Sequence, residues 1–115
     1  MRNNRQISNY AYKIQVRADG ALVCECITKD AFFSITGYTI EEVNTRNSWL
    51  ALVHPDDMPV VRKHLDRLFS GQPRMDEFRI ITKGGEEKWL RNYVQPVWEE
   101  VQKRVTRIYG TAILF

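Results

Sequence analysis

The apolar and polar positions are patterned most clearly around the pair Gly84-Gly85, where two runs rich in large side chains flank the glycines. Alternation with period two sends successive side chains to opposite faces of a strand. Glycine takes positive φ at both central positions of a tight turn, so Glu77 to Val94 predicts a β-hairpin with long arms. Phe78 and Ile80 share one face of the first arm, Glu77 and Arg79 the other. On the second arm Leu90, Asn92 and Val94 share one face, and Trp89, Arg91 and Tyr93 the other. Both sets carry large side chains, so each face calls for a cover.

The rest of the chain supplies candidates. Tyr10 to Arg17 and Ala21 to Ile27 are β-prone runs joined by the turn signal Asp19-Gly20. In the second run the charge on Glu25 puts Leu22, Cys24 and Cys26 on the buried side. Asp30 to Ile35 predicts a short helix stopped by Gly37. Thr39-Ile40-Glu41-Glu42 is a capping-box sequence, with Tyr38 and Val43 placed as a hydrophobic staple. A second short segment, Ser48 to Val53, carries Trp49, Leu50 and Leu52 and runs into His54-Pro55-Asp56-Asp57. With Asp57 as N-cap, Pro59 falls in the first turn of a longer helix, where its missing amide costs nothing. Met58, Val61, Leu65, Leu68 and Phe69 form its apolar stripe, and Ser70-Gly71 with Pro73 ends it. Val97 to Glu100 and Val105 to Phe115 predict a last hairpin turning near Gln102-Lys103. The order is that of an α+β domain with an antiparallel sheet. It occupies residues 10–115, behind a polar arm or cap over residues 1–9.

Composition narrows the function. At 115 residues the chain builds one core, and 43% hydrophobic with 27% charged residues describes an ordinary globular domain. No apolar run approaches the roughly 20 residues of a membrane span, and no signal-peptide pattern is present. A cytoplasmic domain without membrane insertion is expected. The net charge of +3 is scattered among acidic residues, which reads as a solvated surface and not as a nucleic-acid footprint. Cys24 and Cys26, at i and i+2 of a strand, stand about 6.5–7 Å apart at Cα, at the limit for a relaxed disulfide. Reduced, buried thiols without a nearby cation belong to the core and are not reactive. His54, Asp56 and Asp57 are consecutive in a turn and cannot converge on one metal ion. With no Ser-His-Asp spacing, phosphate-cradling loop or paired carboxylates, no catalysis and no metal site are expected.

Several words of the sequence, in this order and at this spacing, resemble a PAS domain of the kind found in bacterial sensor histidine kinases and diguanylate cyclases. They are Ile35-Thr36-Gly37-Tyr38 with Glu41-Glu42, Leu52-Val53-His54-Pro55-Asp56-Asp57, Ser70-Gly71, Glu77-Phe78-Arg79, Lys83-Gly84-Gly85, Trp89-Leu90 and Ile108-Tyr109-Gly110. The resemblance implies a five-stranded antiparallel sheet with short helices and one longer helix on one face, enclosing a pocket in many members. The opposite face of such sheets packs against an N-terminal cap or a second copy. Alignment with the flavin-binding light-oxygen-voltage branch implies that Phe78, Ile80, Leu90, Asn92, Val94, Ile108 and Ala112 point into the pocket. Arg79, Trp89, Arg91, Tyr93, Tyr109, Thr111 and Ile113 then point outward. Phe33, Trp49, Leu65 and Leu68 are placed to close over the pocket, with Asn92 its one polar group.

The same alignment argues against a flavin. Ile80, Leu90 and Ala112 stand where that branch sets amides on the ring edge, and an unsatisfied buried ring polar group costs roughly 1–3 kcal/mol. Arg46-Asn47-Ser48 offers a hydroxyl where the photoreactive cysteine would be. For haem, His64 is the natural axial ligand. Haem-sensing relatives, however, carry their histidine nearer the helix start, at about Val60, and a structural histidine is preferred. No cofactor is therefore expected. The pocket is filled by side chains, or holds a small apolar ligand with one hydrogen-bonding group, and the filled pocket is preferred.

On the outer face Trp89, Tyr93, Tyr109 and Ile113, with Arg79 and Arg91 between them, form the kind of patch enriched at protein contacts. The arm, with Ile7 its main apolar residue, is too polar to cover it, so a homodimer through this face is expected. The resemblance implies a non-catalytic sensory domain signalling through ligand- or packing-dependent changes at that face and the termini. The parent would be a diguanylate cyclase or histidine kinase, its catalytic domain beyond Phe115. The alternative is a purely structural dimerisation or interaction module. Leu114 departs from the Asp-Ile-Thr-like exit common in such domains.

Overall fold

The computed structural model describes residues 8–45 and 49–115, apart from the side chains of Cys26 and Trp49. Strands β1 (Asn9–Val16) and β2 (Leu22–Cys26) come first, then helices α1 (Lys29–Thr36) and α2 (Ile40–Thr45). Two single-turn 3-10 segments, Trp49–Leu52 and Pro55–Asp57, lead into α3 (Met58–Phe69). Strands β3 (Arg74–Ile81), β4 (Glu87–Glu99) and β5 (Arg104–Leu114) complete the chain. All pairings are antiparallel, in the order β2-β1-β5-β4-β3. The α+β architecture with five strands is therefore the one expected from the residue pattern. Strand β1 begins at Asn9, inside the span assigned to the arm, and residues 1–7 lie outside the described residues.

One face of the sheet is covered. Tyr10, Tyr12, Ile14 and Val16 of β1 form one core with residues of β3, β4 and β5 and with Phe32, Ile35, Val43, Val61 and Leu68 of the helices. Strand β4 is continuous over 13 residues, where the sequence suggested a break before Val97. Pro96 is tolerated within it because β3 ends its pairing at Arg74 opposite Val94, so that β4 is flanked only by β5 beyond that point.

The Gly84-Gly85 turn differs from expectation. Only Gly85 has positive φ, at 90°. The Gly85 amide donates to the Thr82 carbonyl at 2.9 Å and the Thr82 amide to that of Glu86 at 2.8 Å. This is the three-residue hairpin connection whose last residue is left-handed, and one glycine suffices for it.

The hairpin tip is tied to the helical layer. The Lys83 amide donates to the Thr36 carbonyl at 2.9 Å, and Lys88 Nζ to that of Ile35 at 2.9 Å. The predicted capping box is present: the Thr39 amide donates to Glu42 Oε1 at 2.9 Å, and the Glu42 amide to Thr39 Oγ1 at 3.1 Å. The other Glu42 oxygen holds Lys83 Nζ at 2.7 Å.

Both sheet edges are pinned from the same layer. Along β2 the Asn44 side-chain amide takes the Cys24 N–H and gives to its carbonyl, each at 2.9 Å. Along β3, Val53 bridges to Ile80 and the His54 amide donates to the Arg79 carbonyl at 2.8 Å. Asp57 accepts there from the Arg79 amide at 2.8 Å, Nε at 3.0 Å and Nη2 at 2.8 Å. Asp57 is the N-cap residue of α3, as expected, but its carboxylate makes no cap bond. The guanidinium of Arg79 outcompetes it, since a bidentate charged pair is stronger than a single bond to an amide.

Two of these carboxylates set an acid limb of stability. Hydrogen bonding from Lys83, and then from the Thr39 amide, takes Glu42 from its ordinary 4.5 down to about 2. Hydrogen bonding from Arg79 takes Asp57 from 3.8 down to about 2. Groups more acidic in the folded chain stabilise it fully above their unfolded values and lose that contribution as pH falls through the folded ones. Urea unfolding should therefore weaken progressively from about pH 4.5 to about pH 2. Glu42→Gln and Asp57→Asn should be less stable at pH 7, with a shallower slope across that window.

Candidate functional site

The inner face of the sheet meets the helical layer in a mostly apolar interior. Phe78, Ile80, Leu90, Asn92, Val94, Ile108 and Ala112 are all buried there, as the face assignment required. Among the helical residues expected to close over them, Leu68 is buried and Leu65 partly so. Phe33 does not close the interior. It is 55% exposed, and Phe32 is buried in its place, edge-on to Tyr10 with ring centroids 5.0 Å apart. The inward stripe of α1 is Phe32, Ile35 and Thr36, spaced as one helix face, and Phe33 stands a further 100° round the axis. The side chain of Trp49 and the segment Arg46-Asn47-Ser48 lie outside the described residues.

Asn92 already has a partner. The Tyr12 hydroxyl donates to its Oδ1 at 2.8 Å, in the buried interior. Tyr12 lies in β1 and Asn92 in β4, with β5 between them. The crossing is made over Gly110, which pairs with Tyr12 on one side and Val94 on the other. A Cβ at Gly110 would run into the Tyr12 ring at Cζ, so the ring can lie here only because residue 110 has no side chain. Burial pushes the Tyr12 hydroxyl well above its ordinary pKa, which keeps it a donor. Sequence reasoning missed this pair. The signal was the inward parity of Tyr10, Tyr12, Ile14 and Val16.

Asn92 is also not the one polar residue of that face. Asp76 stands directly opposite it across β3 and β4, and Arg74 shares the same parity. His64 of α3 engages the Asp76 carboxylate through Nδ1, with Arg74 Nε 4.0 Å from the same carboxylate. Burial pushes Asp76 up, opposed by the charges of His64 and Arg74. The side chain considered as a haem ligand thus spends its Nδ1 on a carboxylate.

Between the described residues of the inner face and the helical layer lie two small cavities, of about 20 Å³ and 10 Å³. The first lies under α3, against Val61, His64, Leu65 and Leu68, and the second beside Tyr10, Cys24, Phe32 and Leu52. Tyr12, Phe78 and Asn92 line both and form the partition between them. Neither is larger than about one water molecule.

Among the described residues nothing covers the outer face. Trp89, Tyr93 and Tyr109 are 45%, 46% and 38% exposed, and Ile113 is partly buried. Met75, opposite Tyr93, is 50% exposed and extends the patch, which sequence reasoning did not include. Both cations are already engaged. Arg79 lies 5.3 Å from the Trp89 ring centroid and is held by Asp57. Arg91 donates from Nε to Glu77 at 2.8 Å and stands 4.9 Å from the Phe115 ring. A groove of about 610 Å³ runs past Ala11, Ile27, Met75, Tyr93, Tyr109 and Thr111.

The remaining candidates are structural. His54 Nδ1 accepts from the Asp56 amide at 3.1 Å, and Nε2 lies 3.2 Å from the Glu87 carboxylate. The Cys24 side chain is buried, and the Cys26 side chain lies outside the described residues. Among the described residues no group of His, Cys, Asp and Glu is arranged to hold a metal ion, and no helix is long and apolar enough to cross a membrane.

A five-stranded antiparallel sheet clasped on one face by short helices and one longer helix is a two-layer α+β architecture. The family model described as the PAS fold matches residues 27–112, and the chain belongs to the PAS family. Solved structures with the same fold include a sensory box histidine kinase/response regulator from Burkholderia thailandensis, 22% identical, covering 94% of this chain and 77% of that one, TM-score 0.67. The N-terminal domain of a diguanylate cyclase with PAS/PAC sensor from Marinobacter aquaeolei is 17% identical, covering 92% and 94%, TM-score 0.68. A LOV protein from Rhodobacter sphaeroides is 16% identical, covering 92% and 58%, TM-score 0.74.

The partition makes two stability predictions, both measured by urea denaturation. Tyr12→Phe strands Asn92 Oδ1 and should cost about 1–3 kcal/mol. Gly110→Ala must displace the Tyr12 ring and should cost about 1–3 kcal/mol or more. A Gly110→Ala variant as stable as the parent would show that the crossing is not sterically required.

Proposed function

We propose that this chain is a regulatory PAS domain whose interior is filled by its own side chains and whose signal passes through the outer sheet face, where a second copy docks. The observation that carries this reading is the exposure of Trp89, Tyr93 and Tyr109 on a face where the two cations beside them, Arg79 and Arg91, are neutralised in place by Asp57 and Glu77. Such a surface is apolar, aromatic and nearly charge-balanced. It suits a copy of itself better than an acidic or basic partner. Packing changes at this face and at the termini would reach a catalytic domain of the same parent chain, a diguanylate cyclase or histidine kinase in the cytoplasm. The domain itself is non-catalytic in this reading and binds no nucleic acid.

The floor chemistry supports an interior without flavin or haem. Ile80, Leu90 and Ala112 present no hydrogen-bonding group to a flavin ring, and the cavity beside His64, about 20 Å³, has no room for a haem. The small cavities also suit a purely structural dimerisation module. The two readings part on whether any stimulus changes the monomer–dimer balance.

The purified chain should show no visible absorbance band, and native mass spectrometry should return the mass of the polypeptide alone. A coloured protein or a retained small molecule would defeat the filled-interior reading. In sedimentation velocity the parent chain should form a dimer. Trp89→Ala and Tyr93→Ala should each weaken self-association by roughly tenfold or more. An unchanged monomer–dimer balance in both would remove the outer face as the docking surface.

A further inference from the structure

Tyr12 does inside this domain what a bound small molecule would do. Its ring lies against Gly110, where no side chain intervenes, and its hydroxyl ends on Asn92 Oδ1 at 2.8 Å. Phe78 lines both residual cavities with it, and one of them is walled by Val61, Leu68 and Ile108 and bordered by the polar cluster of His64, Arg74 and Asp76. Tyr10 stands at its side with ring centroids 5.9 Å apart. The geometry points to a binding site for an aryl alcohol that Tyr12 occupies as a tethered ligand. A flat ring is selected by the bare strand at Gly110, and a hydroxyl donor is selected by the Asn92 carbonyl oxygen.

The site takes one phenol ring and little more. Its free space, about 20 and 10 Å³, lies on either side of the ring, so any occupant must replace Tyr12 and cannot sit beside it. Replacement has a route to the surface. Ala11, the neighbour of Tyr12 in β1, faces the other way and lines the outer groove with Tyr93 and Tyr109. Expulsion of the Tyr12 ring from the interior therefore acts on the strand that floors this groove.

The inference rests on the reading of a self-filled interior, and the two fail separately. A small molecule retained by the parent chain would defeat the filled interior. The tethered-ligand assignment is tested by emptying the site. Apolar cavities of roughly 150 Å³ made by truncating one side chain take up a benzene-sized ring. In Tyr12→Ala, p-cresol should bind at one equivalent by titration calorimetry and raise the melting temperature, while the parent chain under the same conditions should not respond. Toluene serves as the ring without the hydroxyl. Adding Asn92→Leu should shift the p-cresol to toluene affinity ratio about tenfold toward toluene, the worth of one hydrogen bond. Where a variant is unfolded alone, the readout becomes refolding driven by p-cresol, followed by circular dichroism. A Tyr12→Ala chain that neither binds p-cresol nor refolds with it overturns the proposal. So does equal binding by the parent chain, or an affinity ratio indifferent to Asn92→Leu.

Discussion

The hydroxyl of Tyr12 reaches Asn92 only because the strand between them is bare at the crossing. A five-stranded sheet covered on one face must fill that face with side chains standing up from neighbouring strands. Here one long side chain lies down across a central strand. Gly110 makes this sterically possible, and the buried bond to Asn92 fixes it. The arrangement joins β1, β5 and β4 above the backbone ladder as well as through it. It also decides the shape of the interior, because the ring divides what would be one cavity into two, neither larger than about one water molecule.

The helical layer is held by contacts made mostly at its corners. Glu42 closes α2 on itself and holds Lys83, so the same carboxylate starts a helix and anchors a hairpin tip. Asp57 lies at the start of α3 yet turns to the backbone and guanidinium of Arg79. Such paired surface charges contribute little singly, but here each is joined to backbone hydrogen bonds in the same place. The polar cluster of His64, Arg74 and Asp76 closes the interior under α3, opposite the helix-to-hairpin corner. There α3 meets the inner face of the sheet through charge.

Much of this was legible in the residues. Alternation sorted the residues of β3 and β4 into two sets, the light-oxygen-voltage resemblance assigned those sets and the β5 residues to the inner and outer faces, and Thr39 with Glu42 announced a capping box that forms as written. The errors share a cause. Phe32 and Phe33 are chemically identical, and only the helix phase, set by packing against Tyr10, decides which is inside. Asp57 had a local partner in the α3 amides and a distant one in Arg79, and the distant one is not visible until β3 lies alongside. Arg74 and Asp76 have the parity of Phe78, but their charge argued against burial until His64 supplied a partner. Gly110 stood in view as one of the family words. Its purpose depends on Tyr12, which is 98 positions earlier in the chain (110 against 12) and one strand away in the sheet.

The pinned edges of the sheet bear on how copies of this domain can accumulate. An edge strand with free amides and carbonyls is a template, and a second chain added there leaves a new edge for a third. In this domain an incoming strand would first have to strip Asn44 from Cys24, or Val53, His54 and Asp57 from the Ile80 and Arg79 region. The proposed docking through the flat face has the opposite geometry: two such faces placed together would cover one another and leave nothing for a further copy, so growth would stop at a closed pair and seed no fibre.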